Sequence, residues 1–175
     1  VPETGGGRVV TDPATGVGAQ LDGTLRADRL KPVAVLLPHG HLDHTFSVTP
    51  VCVARGIPAW IHPGDRDLLA DPMKGLSPES RTMFGGKLEW TEPSDIALLD
   101  PAAPLDLAGM RFSTDFAPGH TPGSVMFQTG EVLFSGDVLF AGSIGRCDLP
   151  GGSWEQLQAS LSRTALTKPD DAAGA

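Results

Sequence analysis

The feature that most constrains this chain is a junction. The apolar run Val33-Ala-Val-Leu-Leu37 meets "PHGHLDHT", residues 38–45, with no spacer. A continuous apolar run between turn signals reads as a strand buried on both faces, with helices and a second layer covering it. Three of the five histidines of the chain, with one aspartate, then fall within residues 39–44 at the C-terminal end of that strand. His39 and His41 are two apart, so on extended backbone their side chains point to the same side and can meet one ion. Asp43 and His44 follow where the chain turns into a helix. As adjacent residues they diverge and can address a neighbouring position. Gly40 keeps the loop small between them. Imidazole nitrogen with carboxylate is the ligand set of zinc, iron or manganese, not of calcium. A histidine-rich surface loop is the alternative, and such crowding in a histidine-poor chain argues against it.

Composition narrows what surrounds this junction. A length of 175 residues suits one domain, 1–175, with a sizeable core. At 40% hydrophobic and 19% charged residues, neither disorder nor a membrane span is indicated, since a span needs roughly 18 consecutive apolar residues. The start, "VPETGGGRVV", has no signal-peptide pattern and no initiator Met, so an internal or processed N-terminus is expected. A formal charge of −8 disfavours nucleic acid as a partner. Cys52 and Cys147 are isolated thiols, as in a cytoplasmic protein. With no tyrosine, binding groups must come from His, Ser, Thr, Arg, Trp or the backbone.

Along the chain, Gly5–Gly7 reads as a loop and "RVVTDP" as a strand end. A helix is expected over 17–29, ended by Pro32, and a second over "TFSVTPVCVARG", closed by Gly56, with Pro50 in its first turn. "IPAWIH" is a short strand, and "DRDLLADPM" one or two helical turns. Ser77 with Pro78 marks a helix start. A hairpin is expected around Ala108-Gly109, with Met110, Phe112, Thr114 and Phe116 on one face, and another at Thr129-Gly130. Ser153 and Gln156 form a capping box for a last helix, and "KPDDAAGA" is a polar tail. Helices mixed with hairpins predict a layered α/β protein with mixed sheets. Trp60 and Trp154 are expected in the core.

Two later positions have the composition to complete a metal site. His120 in "APGHTPGS" and Asp137 in "LFSGDVLF" both follow strands. The two oxygens of Asp137 allow it to bridge two ions. Alone, each would be an ordinary loop residue; the first cluster is what raises them. His62 reads as structural, Cys147 as packing, and Asp12 as a residue that braces the loop.

"HGHLDH", "PGHTPGS" and "SGDVLF", in this order and preceded by "VVTDP", resemble the motifs of the metallo-β-lactamase fold over about residues 8–165. "GDVLFAGSIGRCDLPGG" is most similar to single-domain glyoxalase II-like thioesterases and to persulfide dioxygenases. The resemblance implies an αββα sandwich, without the helical substrate domain of larger glyoxalase II enzymes. It implies His39, His41 and His120 around one metal, and Asp43 and His44 at a second, with Asp137 between. Arg146 matches a position near the substrate, where it would contact an anionic thiol carrier; a salt bridge with Asp148 is its alternative. The chain departs from the family in Pro38, in having no histidine after His120, and in lacking the strands that usually precede "VVTDP", so residues are expected to be missing at its ends. The implied activity is hydrolysis of a small-molecule thioester such as a hydroxyacyl-glutathione. One or two zinc ions, or iron or manganese, would lower the pKa of water from about 15.7 to about 7, with Asp43 orienting the nucleophile or holding the second metal. A mononuclear iron persulfide dioxygenase and a non-catalytic metal-binding module are the other readings.

Overall fold

The computed structural model describes residues 7–13 and 18–167. Gly5 and Gly6 of the expected glycine loop and the polar tail from residue 168 lie outside them, while Gly7 begins a strand rather than ending a loop. Four strands form a parallel sheet in the order β1 (Gly7–Thr11), β2 (Lys31–Leu36), β3 (Ala59–Ile61) and β4 (Ile96–Leu98). Parallel neighbours require crossovers. Here α1 (Gly18–Ala27) joins β1 to β2, and α2 (Leu42–Thr45) with α3 (Val48–Arg55) joins β2 to β3. The β3–β4 crossover carries α4 (Arg66–Ala70) and α5 (Pro78–Met83). The second sheet is an antiparallel meander, β5 (Leu105–Leu107), β6 (Met110–Phe116), β7 (Val125–Thr129) and β8 (Val132–Phe134). A small hairpin, β9 (Leu139–Phe140) with β10 (Ser143–Ile144), and the helix α6 (Trp154–Thr167) follow.

The period of two along each strand sorts the apolar side chains into three layers. Val35, Ala59 and Ile61 face Val48, Val51 and Cys52 of α3. Leu36, between them in register, faces the other way and meets Phe112, Val125 and Phe127 of the second sheet. Met126 points through that sheet to Ala117, Val138 and Leu157 of α6. The result is the αββα sandwich expected from the sequence, with the two strand senses segregated into separate sheets. Phe127 is fully buried between the sheets, and its replacement by Ala is expected to cost about 3–5 kcal/mol.

Several local expectations shift for physical reasons. Helix α1 ends at Ala27, well before Pro32, and Arg29 turns the chain at φ 51°. Pro32 instead lies inside β2, where it has no N–H for the ladder; the register with β1 slips there, between Arg8 and Val9. The single helix expected after the histidines is two, α2 and α3, and Pro50 sits at the third position of α3, where an N–H would have no intrahelical acceptor. Gly56 closes α3 in the left-handed region at φ 60°. Ala108 and Gly109, at φ 54° and 74°, are the central pair of the first hairpin. The second hairpin turns one residue later than expected, at Gly130-Glu131. On β6, Phe112 and Thr114 are buried, but Phe116 is 36% exposed, because the strand runs past the core and its ring stacks on His62. Trp60 packs half-buried against the inter-sheet core. Trp154 does not: it is 53% exposed. The buried stripe of α6 starts one turn later, at Leu157, and continues through Ser160 and Thr164, so the first turn carries Trp154 beyond the sheet. Ser153 accepts from the Gln156 N–H at 3.4 Å, as the capping signal predicts.

Candidate metal centre

Strand β2 ends at Leu36, and the chain bends at Pro38 and reaches His41, in extended conformation, before α2 begins. This directs His39 and His41 to one side, at the C-terminal ends of the parallel strands. The loop after β6 brings His120 to them across 79 residues of sequence. All three side chains are buried. His41 Nδ1 lies 2.9 Å from His120 Nε2, and His39 Nε2 lies 3.2 Å from the same atom. The His120 Nδ1 is 2.7 Å from the Arg146 carbonyl oxygen. A carbonyl only accepts, so Nδ1 carries the proton and Nε2 presents a lone pair to the other two rings. Burial, then the surrounding histidines, hold the pKa of His39 well below 6.5. Burial and His120 push His41 down to about 4. His39 and His41 are therefore neutral imidazoles, and with His120 they form a small triangle. Nitrogens about 2.0–2.1 Å from a tetrahedral ion would stand about 3.4 Å apart, so the triangle fits a single cation after a slight opening. His41 Nε2 is buried without a hydrogen-bond partner among the described residues.

The second group is charged. His44 Nδ1 pairs with Asp12 Oδ2 at 2.7 Å, and His44 Nε2 faces Asp137 Oδ1 at 3.2 Å and Asp43 Oδ2 at 3.6 Å. Burial alone would lower the His44 pKa, but hydrogen bonds to Asp12 and Asp137 outweigh it and raise the pKa to about 10. The hydrogen bond from His44 holds Asp137 below the usual carboxylate range. The other oxygen of Asp137, Oδ2, lies 3.7 Å from His120 Nε2, so one carboxylate faces both groups. His39 belongs to both as well: one set of potential ligands is His39, His41 and His120, the other His39, Asp43 and His44. A proton on His44 Nε2 stands where a cation could replace it, while Asp12 holds the opposite nitrogen.

The main brace of the site was not legible in the sequence. Asp65 is fully buried. Its carboxylate accepts from the Gly40 N–H at 2.8 Å, the Thr121 hydroxyl at 2.6 Å and the Gly123 N–H at 2.7 Å. It therefore ties the His39–His41 loop to the His120 loop. Burial raises its pKa, and the three donors oppose the rise. The available signal was an aspartate at a helix start in "HPGDRD", which commonly means no more than capping. Gly119, at φ 137°, lets the His120 loop lie on the start of α6: a Cβ there would collide with the Leu157 backbone nitrogen. Gly75 does the same for His41, whose Cδ2 would lie 2.8 Å from an added Cβ.

The other candidates fall outside the cluster. His62 accepts from the Gly64 N–H at 3.1 Å and stacks on Phe116 with ring centroids 4.4 Å apart, a structural role. Cys147 packs half-buried against the α6 layer. Arg146 supplies its carbonyl to His120, but its guanidinium forms two 2.7 Å hydrogen bonds with Asp148.

A two-sheet α/β sandwich with neutral imidazoles and carboxylates gathered at its strand ends defines a class, the metal-dependent hydrolases of that architecture. The chain belongs to the metallo-β-lactamase superfamily, whose model matches residues 3–174. It is 39% identical over 170 residues to the uncharacterized protein Rv2581c of Mycobacterium tuberculosis, covering 93% of this chain and 75% of that one. It is 34% identical over 164 residues to the probable metallo-hydrolase YqgX of Bacillus subtilis, with the same two shares. Hydroxyacylglutathione hydrolase GloC of Haemophilus influenzae is 32% identical over 149 residues, covering 78% and 64%. Among solved structures, the BLEG-1 B3 metallo-beta-lactamase superposes with a TM-score of 0.78 at 34% identity, over 94% of this chain and 77% of that one. TTHA1623 in a di-iron-bound form gives 0.75 at 33% identity, over 91% and 76%. The superfamily and the histidine-rich site together imply a bound divalent metal. No helix among the described residues is long and apolar enough to cross a membrane.

Proposed function

We propose that the protein is a metal-dependent thioesterase of the glyoxalase II type, acting on a small-molecule thioester. The observation that supports this most directly is the convergence of the buried His39, His41 and His120 beside a half-open group of carboxylates. The relationship to a hydroxyacylglutathione hydrolase supports the thioester part. His39, His41 and His120 would hold one divalent ion, and Asp43, His44 and Asp137 a second; zinc, iron and manganese all suit these donors. The ion supplies, when bound, water acidified to near neutrality and a polarised carbonyl. The chain's own residues do the rest. The Arg146 carbonyl keeps the proton of His120 on Nδ1, and Asp12 keeps that of His44 on Nδ1, so both Nε2 atoms face inward. Asp43, with its side chain 75% exposed, is the carboxylate open to solvent at this site and accepts the proton of the attacking water. The new C–O bond forms as the C–S bond breaks, and the thiolate leaves without a general acid.

The test is metal content together with hydrolysis of lactoylglutathione and of neutral acyl thioesters. Asp43→Asn is expected to lower kcat by roughly 10²–10⁴-fold while metal stays at the three-histidine group. Purified protein that binds no divalent metal, or metal-loaded protein that hydrolyses no thioester, refutes the reading.

A further inference from the structure

Beside the three histidines lies a cleft of about 490 Å³ that shares His41 and Asp43 with the site, a size suited to a small organic ligand. Its walls hold an unusual concentration of exposed apolar side chains: Met83 is 87% exposed, Phe46 45% and Phe84 41%. Helix α5 buries none of its residues. It is held in place by polar contacts: the Ser77 cap, and Arg81 bonded to the carbonyls of Leu76 and Lys74. Helix α5 and Phe84 thus hold an apolar face over the cleft. Folding alone gives no reason to leave such a face open to water, because its burial would be favourable. Charge in the cleft is spent or repulsive. Arg146 is the one cation among the lining residues, and Asp148 takes its Nε–Nη2 edge and balances its charge. Asp43 would repel an anion, and the chain carries a formal charge of −8. A carboxylate placed here would meet Asp43 and a guanidinium whose charge Asp148 already balances.

We infer that this cleft takes an uncharged, apolar arm of the substrate. The site therefore acts on thioesters that place an aliphatic chain or an aromatic ring in this cleft, in preference to ones that place an anionic peptide there. This rests on the thioesterase reading for the bond that is cleaved, but not for the arm that is bound. Phe46, Met83 and Phe84 are the specificity-determining side chains. Their contact with the arm is the same before and during the reaction, so its loss falls on KM.

The test has a binding arm and a kinetic arm, both on metal-loaded protein. The neutral fluorophore N-phenyl-1-naphthylamine is expected to bind and to be displaced by a neutral hexyl thioether, but not by a glutathione thioether that lacks an apolar arm. Met83→Asp and, separately, Phe84→Ser are expected to weaken fluorophore binding by roughly tenfold each. Both positions are solvent-facing, so the variants should fold and retain metal. In kinetics, hexanoyl-N-acetylcysteamine is expected to exceed lactoylglutathione in kcat/KM by at least roughly tenfold, and both substitutions should erase that preference through KM. Fluorophore binding untouched by both substitutions overturns the inference. So does a preference for lactoylglutathione that disappears in Arg146→Ala. Fluorophore binding lost in both variants, with no thioester hydrolysed, upholds the apolar arm and refutes the thioesterase reading instead.

Discussion

Two groups of ligand atoms share His39, and they are prepared for a cation in opposite ways. The His39–His41–His120 triangle is buried, and burial with the neighbouring histidines keeps His39 and His41 neutral. The His44 group is half-open, and its imidazole is kept charged by Asp12 and Asp137, with a pKa near 10. In the first group, an incoming ion relieves the crowding of lone pairs and displaces almost no protons. In the second it must expel a proton held by two carboxylates, although those carboxylates remain to balance its charge. The comparison teaches that one short motif can carry two sites of different proton cost, and that the difference comes from what packs around the motif. The first site is therefore expected to fill first, and the second to fill more readily as pH rises.

The largest effect expected from breaking this asymmetry is that of His120→Ala. It removes the nitrogen on which His39 and His41 converge, and it should abolish stoichiometric metal binding at the triangle and all detectable hydrolysis. Metal analysis beside circular dichroism of the variant checks it; full metal content in a folded variant would show that the triangle is not the primary site. Next, Asp65→Ala leaves the buried N–H groups of Gly40 and Gly123 unpaired, removes one partner of the Thr121 hydroxyl and unties the two histidine loops. A loss of about 3 kcal/mol is expected, a fall in Tm of roughly 6–12 °C, together with weaker metal binding. A shift in Tm with unchanged metal affinity would confine Asp65 to the scaffold.

The pH dependence of the metal-stripped protein separates the two groups further. His41 titrates near 4 in the fold, against 6.5 unfolded. Below pH 6.5 the unfolded chain binds a proton that the folded one refuses, so this contribution to stability falls as pH drops from 6.5 to about 4, by about 3 kcal/mol at most. His44, with its raised pKa, behaves inversely. Its contribution is complete below pH 6.5 and is lost as pH rises towards 10. Denaturation of His41→Gln across pH 4–6.5 should show a shallower slope than the wild type; identical slopes would remove His41 from the account. The smallest effect expected is that of Asp12→Asn. The His44 pKa should fall by about 1–3 units, visible in an NMR titration, with occupation of the triangle unchanged. Loss of metal from the triangle in that variant would mean that the two groups act as one.

Much of this is legible without coordinates, and the reason is locality. Residues 33–44 carry both the strand and four of the candidate ligands, so alternation along an extended chain already places His39 and His41 together. Gly56, Ser77, Gly109 and Ser153 act through backbone geometry within a few residues of themselves, and each ends or starts an element near where the local pattern predicts. Motif order names His120 and Asp137 as companions of the cluster, but it supplies no physical reason for their meeting; the packing of the two sheets does. Trp154 departs from expectation because composition favours burying tryptophan, whereas burial on α6 depends on where the helix crosses the sheet. The role of Asp65 is invisible to local pattern because its three donors lie 25, 56 and 58 residues away. Arg146 both pairs with Asp148 and lines the cleft, and that combination depends on the loop geometry.

The chain's order of residues thus determined which chemistry was possible: neutral nitrogen and carboxylate donors at the end of a strand that must be buried. The tertiary structure decided which donors are neutral and which are charged, what braces them, and what covers the approach to them. Those properties depend on burial and on distances between segments far apart in sequence, and a pattern confined to neighbouring residues carries neither.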